Sequence, residues 1–220
     1  MPSNRQSIVE SLLDAGAIAV IRMRQPERVL HVAQALLKGG VRALEITMTI
    51  PGALGCIETV ANELSGELLL GVGSVVDAET AQHAIDAGAK YVISPIFQRE
   101  VIEAAHRNDF PAIPGAFTPT EIYEAHAAGA DMVKVFPADV VGMPFFKAVL
   151  APMPFLRLIP TGGVSLTNAG DWLRAGAVAV GVGGALLDAR AIAEGDYDKL
   201  TRNAEQLMAS VRSGQAVVGG

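Results

Sequence analysis

The chain of 220 residues repeats one pattern from end to end: a short apolar, β-rich run, then a segment with apolar residues at i, i+3, i+4 and i+7. Eight such runs stand at 17–22, 43–47, 68–74, 91–95, 111–116, 132–137, 156–163 and 177–184, each too short to be a helix. The segments between them, such as "PERVLHVAQALLKGG" and "DAETAQHAIDAGA", open near Pro or Asp and end near Gly, as helices do. At 15–17, 39–41, 87–89, 128–130 and 175–177 the joint is "AGA" or its relative "GGV", a left-handed glycine cap followed by a strand. Strands alternating with helices imply parallel pairing, and strands apolar on both faces imply a sheet covered on both sides. Eight units closing on themselves predict an α/β fold of the (β/α)8 barrel type, with an open doubly wound sheet as the rival. "SIVESLLDAG" predicts an extra N-terminal helix across the barrel bottom, and "SGQAVVGG", about 213–220, a frayed tail. The expectation is one domain over 1–220 with its core at about 16–197.

Composition narrows the function. Half the residues are apolar and 18% charged, which excludes a disordered chain, and a net charge of −6 with no basic stripe argues against nucleic acid as a partner. The opening "MPSNRQSIVESLLDAG" has neither the layout of a signal peptide nor a membrane span, so the cytoplasm is the expected compartment. Cys56 falls in a helical segment with no nearby histidine and reads as a packed thiol. His31, His83, His106 and His126 all lie in helical segments without partners at ligand spacing; they read as surface residues, and no metal site is expected. Trp172 and the methionines are expected to pack the helix layer.

The active face of a barrel is built at the C-terminal strand ends, so polar residues late in the apolar runs are the functional candidates. They are Arg22, Glu45, Thr47, Thr49, Ser74, Lys134, and the "TGG" of Thr161, Gly162 and Gly163. Side chains alternate along a strand, so if Leu44 and Ile46 face the helices, Glu45 faces the interior. The same parity sets Met132, Lys134 and Phe136 opposite Val133 and Val135, and projects Lys134 and Glu45 into one space. A structural ion pair is the plain alternative, but such pairs stabilise weakly. Burial disfavours an ammonium relative to the free amine, and an amine that condenses with a ketone gives an iminium beside which a base can act. That is aldolase chemistry. "PTGGV" at 160–164 and "GVGG" at 181–184 end the seventh and eighth runs, where barrels hold phosphate on backbone N–H groups; Gly162, Gly163, Gly183 and Gly184 are the candidates.

With "LEIT" around Glu45, "GVGS" at 71–74, "ISP" at 93–95, "IPG" at 113–115, "KVFPA" at 134–138 and "PTGGV" at 160–164, the chain from about Gly16 to Tyr197 closely resembles the class I 2-keto-3-deoxy-6-phosphogluconate aldolases, which include 4-hydroxy-2-oxoglutarate aldolases. The resemblance implies that Lys134 forms a Schiff base with pyruvate, that Glu45 moves protons through a water, that Ser74 and Pro95 line the pyruvate pocket, and that Phe136 packs beside the imine. It also implies a homotrimer acting on a small molecule, with no metal or organic cofactor and no membrane partner. Two departures stand out. Many relatives carry arginine in a "TLRT"-like motif where this chain has "ITMTIP" with Thr49, so Arg22 becomes the candidate for the substrate carboxylate, as in a subset of the family, with Thr47, Thr49 and Ser74 beside it. Gly184 stands where relatives often have a serine that binds phosphate, which weakens the expected preference for a phosphorylated substrate. The same chemistry on 4-hydroxy-2-oxoglutarate or the galactonate epimer is the near alternative, and a phosphate-binding isomerase or transferase barrel is the distant one.

Overall fold

The structure is a computed structural model that describes residues 3–218. Its strands are β1 (Ala17–Ile21), β2 (Ala43–Thr47), β3 (Leu69–Gly73), β4 (Val92–Ile93), β5 (Ala112–Ile113), β6 (Gly115–Ala116), β7 (Val133–Val135), β8 (Leu158–Pro160) and β9 (Val180–Val182). Its helices are α1 (Asn4–Ala15), α2 (Val29–Lys38), α3 (Ala53–Glu63), α4 (Ala78–Asp86), α5 (Arg99–Arg107), α6 (Pro119–Ala127), α7 (Ala138–Leu150), α8 (Ala169–Arg174), α9 (Ala189–Glu194) and α10 (Tyr197–Val218). Every expected run holds a strand. The fifth is split into β5 and β6 at Pro114, a residue with no N–H to give to a ladder. Among the described residues no helix is long and apolar enough to cross a membrane.

All pairings are parallel, in a six-stranded sheet of order β5-β4-β3-β2-β1-β9 and a three-stranded sheet of order β6-β7-β8. The last strand lies beside the first, with Ala17 opposite Val180, an adjacency that the orders typical of doubly wound sheets lack. A bridge between Thr161 and Gly181, with Val178 N–H donating to the Leu158 carbonyl at 3.0 Å, links β8 to β9 across the two sheets. Four of the expected joints place a glycine directly before a strand's lead-in at φ +95° (Gly40), +115° (Gly88), +97° (Gly129) and +105° (Gly176), and the left-handed cap Gly16 (φ +65°) is the fifth. At these angles an L side chain is strained.

Period two sorts the core into two clusters. Leu44, Ile46, Val133 and Val135 pack outward with the helices, whereas Ile18, Ala43, Tyr91, Ile93, Ile113, Met132, Ile159 and Ala179 form an inner cluster that Ile8, Val9 and Leu12 of α1 join. Helix α1 is fixed by a capping box at Ser3. One pleat further along the strands the inward positions are Val20, Glu45, Lys134, Thr161 and Gly181. The apolar layer and α1 therefore form a floor beneath the polar side chains.

Two expectations need correction. The tail expected from about 213 is helical to Val218: the small residues Gly170 and Gly214 let α8 and α10 touch, a Cβ on Gly214 falling 2.7 Å from the Gly170 Cα, and Ser213 Oγ donates to the Ser210 carbonyl at 2.7 Å. Residues 219–220 of that expected tail lie outside the described residues. His31 and His83 are exposed as expected, but His106 is half-buried with its Nε2 3.0 Å from Asp131, and His126 is half-buried with its ring 5.0 Å from that of Phe155. Cys56 is a buried free thiol in α3, pushed upward in pKa by burial and then by Glu27. Trp172 is buried edge-on to Phe146 in the helix layer, as expected.

Candidate active site

Strands β2 and β7 deliver Glu45 and Lys134 to the same interior level. Lys134 Nζ stands 3.7 Å from Glu45 Oε1, an ion pair too long for a direct hydrogen bond. Both residues are buried, at 1% exposure for Glu45 and 6% for Lys134, so neither charge is screened by bulk water. Glu45 Oε1 has no hydrogen-bond partner among the described residues, an orphan acceptor in the middle of the molecule. Burial raises the Glu45 carboxyl above its ordinary range, while Lys134 and then Arg22 pull it back. Room for this carboxylate comes from β3, where a Cβ on Gly73 would meet Oε1 at 1.7 Å.

Arg22 leaves the end of β1 and passes over β2: its Nη2 reaches Ser74 Oγ beyond β3 at 3.4 Å. Ser74 itself adopts φ +62°, a left-handed conformation that turns the chain at the strand end. Beneath this strap Thr47 Oγ1 donates to the Ile21 carbonyl at 3.1 Å and meets Thr49 Oγ1 at 2.8 Å. With Thr47's one proton given to Ile21, Thr49 is the donor of that pair. Phe136 places its ring centroid 5.4 Å from Lys134 Nζ, which sets a cation over an aromatic face.

A cavity of about 440 Å³ opens above, walled by Val20, Arg22, Phe136, Thr161 and the loops carrying Gly162, Gly163, Gly183 and Gly184. Lys134 and Glu45 are not on its wall, although they share the strand level of its residues Val20, Thr161 and Gly181; Lys134 faces the Phe136 ring. The four glycines are brought together with Arg22, Thr161 and Phe136 as expected. Pro95 is not: it lines a second cavity of about 320 Å³, with Ile96, Phe97 and Phe117, that shares Phe136 with the first. Thr49 and Ser74 sit near Arg22, Thr47 is fully buried beneath them, and all three lie outside both walls. Among the described residues no three His, Cys, Asp or Glu side chains gather as a metal-holding group.

Sequence reasoning missed Tyr91. It is fully buried, its ring occupies the space a Cβ on Gly71 would need, and its hydroxyl donates to the Leu44 carbonyl at 2.7 Å, next in chain to Glu45. Burial first, and then the Glu45 charge, drive its pKa well up, so the phenol stays protonated. The signal was present, since Tyr91 shares its parity with inward-facing Ile93.

The arrangement offers an amine, a carboxylate with a free lone pair, a guanidinium and two glycine loops around one space. Known proteins are similar to this chain along most of its length. A family model described as KDPG and KHG aldolase matches residues 8–203. The 2-dehydro-3-deoxy-phosphogluconate aldolase of Treponema pallidum is 34% identical over 203 residues, covering 92% of this chain and 96% of that protein. The KHG/KDPG aldolase of Escherichia coli is 33% identical over 205 residues, with 92% and 96% covered. Among solved structures, the KDPG aldolase of Legionella pneumophila, with pyruvate captured at low pH as a covalent carbinolamine intermediate, superposes with a TM-score of 0.84 at 29% identity, over 90% of this chain and 97% of that one. The thiamine phosphate pyrophosphorylase of Pyrococcus furiosus superposes with a TM-score of 0.70 at 18% identity, a likeness of fold alone. With family-level similarity along nearly its whole length, the chain belongs to the KDPG and KHG aldolase family.

Proposed function

We propose that the chain is a metal-independent class I aldolase that cleaves 2-keto-3-deoxy-6-phosphogluconate to pyruvate and glyceraldehyde 3-phosphate. The observation that carries this reading is the buried Lys134 amine 3.7 Å from a glutamate with an unpartnered oxygen. Lys134 Nζ attacks the C2 keto carbon, and loss of water from the carbinolamine gives the iminium. Glu45, acting through a water in the gap to Oε1, takes the C4 hydroxyl proton. The C3–C4 bond then breaks, its electron pair passes to the iminium as the enamine of pyruvate, and the aldehyde leaves. Protonation of C3 with the help of Glu45 regenerates the iminium, and water frees pyruvate and Lys134.

Arg22, held by Ser74 and backed by the bonded pair Thr47 and Thr49, orients the carboxylate, and Phe136 and Thr161 bound the reacting carbons, with Pro95 in the adjoining cavity. The backbone N–H groups near Gly162, Gly163, Gly183 and Gly184 receive the phosphate. A relative from Rhizobium meliloti named as a probable 2-dehydro-3-deoxy-6-phosphogalactonate aldolase, 35% identical over 170 residues, keeps the galactonate epimer as a second reading. The absence of a side-chain donor at Gly184 favours 4-hydroxy-2-oxoglutarate as a third.

The single domain acts, in this reading, as a closed (β/α)8 barrel with α1 across its floor, working in the cytoplasm on small metabolites as a homotrimer. Exposed Val76, Ile96, Phe117 and Val140 supply apolar surface for self-association, and light scattering would give its order. Incubation with pyruvate followed by borohydride reduction tests the chemistry: an N-(1-carboxyethyl) adduct is expected on Lys134. A folded protein that traps nothing would make the lysine structural and end the proposal.

A further inference from the structure

We propose that Arg24 determines preference for a phosphorylated substrate by binding the distal phosphate from the β1 side of the cavity. The inference rests on the aldolase reading above and names the charge that its phosphate site otherwise lacks. The wall of the main cavity around Gly162, Gly163, Gly183 and Gly184 carries no cationic side chain other than Arg22. Arg22 leans away toward Ser74, over Glu45, where the carboxylate of pyruvate is to be held. On the α7 side the charge has the wrong sign: Asp139 packs against the loop so closely that a Cβ on Gly162 would fall 2.9 Å from its Oδ1. Backbone N–H groups alone would face a phosphate dianion there with a carboxylate behind them.

The β1 side differs. Strand β9 is the ladder partner of β1, so the loop 183–188 runs beside the loop 22–25. Between them lies another cavity, of about 310 Å³, which shares Arg22 and Leu187 with the main one and adds Arg24 and Gln25 to its wall. The arginines of this segment have separate employment. Arg28 is tied into the fold, donating to the Ile192 carbonyl at 2.8 Å and reaching the Tyr197 hydroxyl at 3.4 Å. Arg24 has no salt-bridge or side-chain hydrogen-bond partner among the described residues, an uncommitted guanidinium beside the loop in which Gly184 leaves open space. A guanidinium presents forked donors suited to phosphate oxygens, so Arg24 takes over the part that a hydroxyl at 184 would play.

The test compares Arg24→Ala and Arg24→Lys with the unaltered chain on 2-keto-3-deoxy-6-phosphogluconate and on 2-keto-3-deoxygluconate, which ends in a hydroxyl. Arg24→Ala should raise KM for the phosphorylated substrate roughly 10- to 100-fold, the range for losing one charged hydrogen-bonded contact, with kcat unchanged. KM for the hydroxyl-ended substrate should stay the same, and Arg24→Lys should recover part of the loss. Inorganic phosphate should inhibit the unaltered enzyme competitively and Arg24→Ala far less. An unchanged KM for the phosphorylated substrate, or an equal loss on both substrates, would overturn the assignment. Borohydride trapping of pyruvate separates the two levels: an adduct with an unchanged substrate preference sinks Arg24 alone, and no adduct in the unaltered enzyme sinks the aldolase reading.

Discussion

Replacing Gly73 with alanine should disable the enzyme without unfolding it. Gly73 ends β3 with an ordinary strand backbone, so alanine is sterically allowed by the main chain. The new methyl would sit 1.7 Å from Glu45 Oε1, 2.3 Å from Cδ and 2.5 Å from Cγ, against a floor of 3.0 Å for real Cβ contacts. The carboxylate must therefore move by about 1.3 Å, the difference between 1.7 and 3.0 Å, and a side chain yields before a strand does. Misplacing a reacting group by about 1 Å can cost on the order of 100-fold in rate, so kcat for retro-aldol cleavage should fall by about that factor. Pyruvate release coupled to a dehydrogenase reads kcat, and circular dichroism reads the fold. Lys134 is untouched, so borohydride should still trap pyruvate on it. A folded Gly73→Ala enzyme with kcat close to that of the parent would show that the position of Glu45 does not matter, and would refute the proton-transfer role given to it.

Other outcomes follow from the same geometry. Burial raises the Glu45 carboxyl, and the base must be ionised to act, so kcat should rise with pH along an acid limb above the ordinary glutamate value of about 4.3. Arg22→Gln removes a charge that lowers Glu45 and should shift that limb to still higher pH; a limb that stays put would contradict the coupling. Tyr91→Phe deletes a buried hydrogen bond and should cost about 1 kcal/mol, or about 2–4 °C in Tm, measured by thermal unfolding, with kcat little changed. A Cβ at Gly184 meets nothing within 4 Å, so Gly184→Ser should fold normally and lower KM for the phosphorylated substrate by up to about tenfold, as one added hydrogen bond allows. An unchanged KM would place the phosphate elsewhere.

The pairing of Glu45 with Lys134 was legible because period-two alternation is rigid inside a strand: once Leu44 and Val133 face the helices, the neighbouring side chains have one direction left. Beyond the strand ends that constraint lapses. Thr49 and Pro95 were expected with the other substrate contacts, yet Thr49 turns to bond Thr47, and Pro95 lines a separate cavity that meets the first at Phe136. Nothing local in "GVGS" announces that Ser74 takes a left-handed backbone to meet Arg22. The C-terminal helix was misread for a related reason. Local propensity sees Gly and Ser as fraying, whereas the contact that orders them is with Gly170, in another helix. His106 likewise gained its partner Asp131 only through folding.

The five glycine joints have a consequence for how such a chain can diverge. Each joint stands ahead of a strand, at the opposite end from Lys134, Arg22 and the glycine loops of the cavity. A side chain forced into a left-handed backbone costs roughly 1–2 kcal/mol, so replacements at the joints drain stability and leave the chemistry alone. Replacements at the other rim alter the pocket and touch few of the contacts that hold the fold. Mutational risk and mutational opportunity are thus segregated to opposite poles of the molecule, and substrate range can drift at one pole while the other remains under constraint.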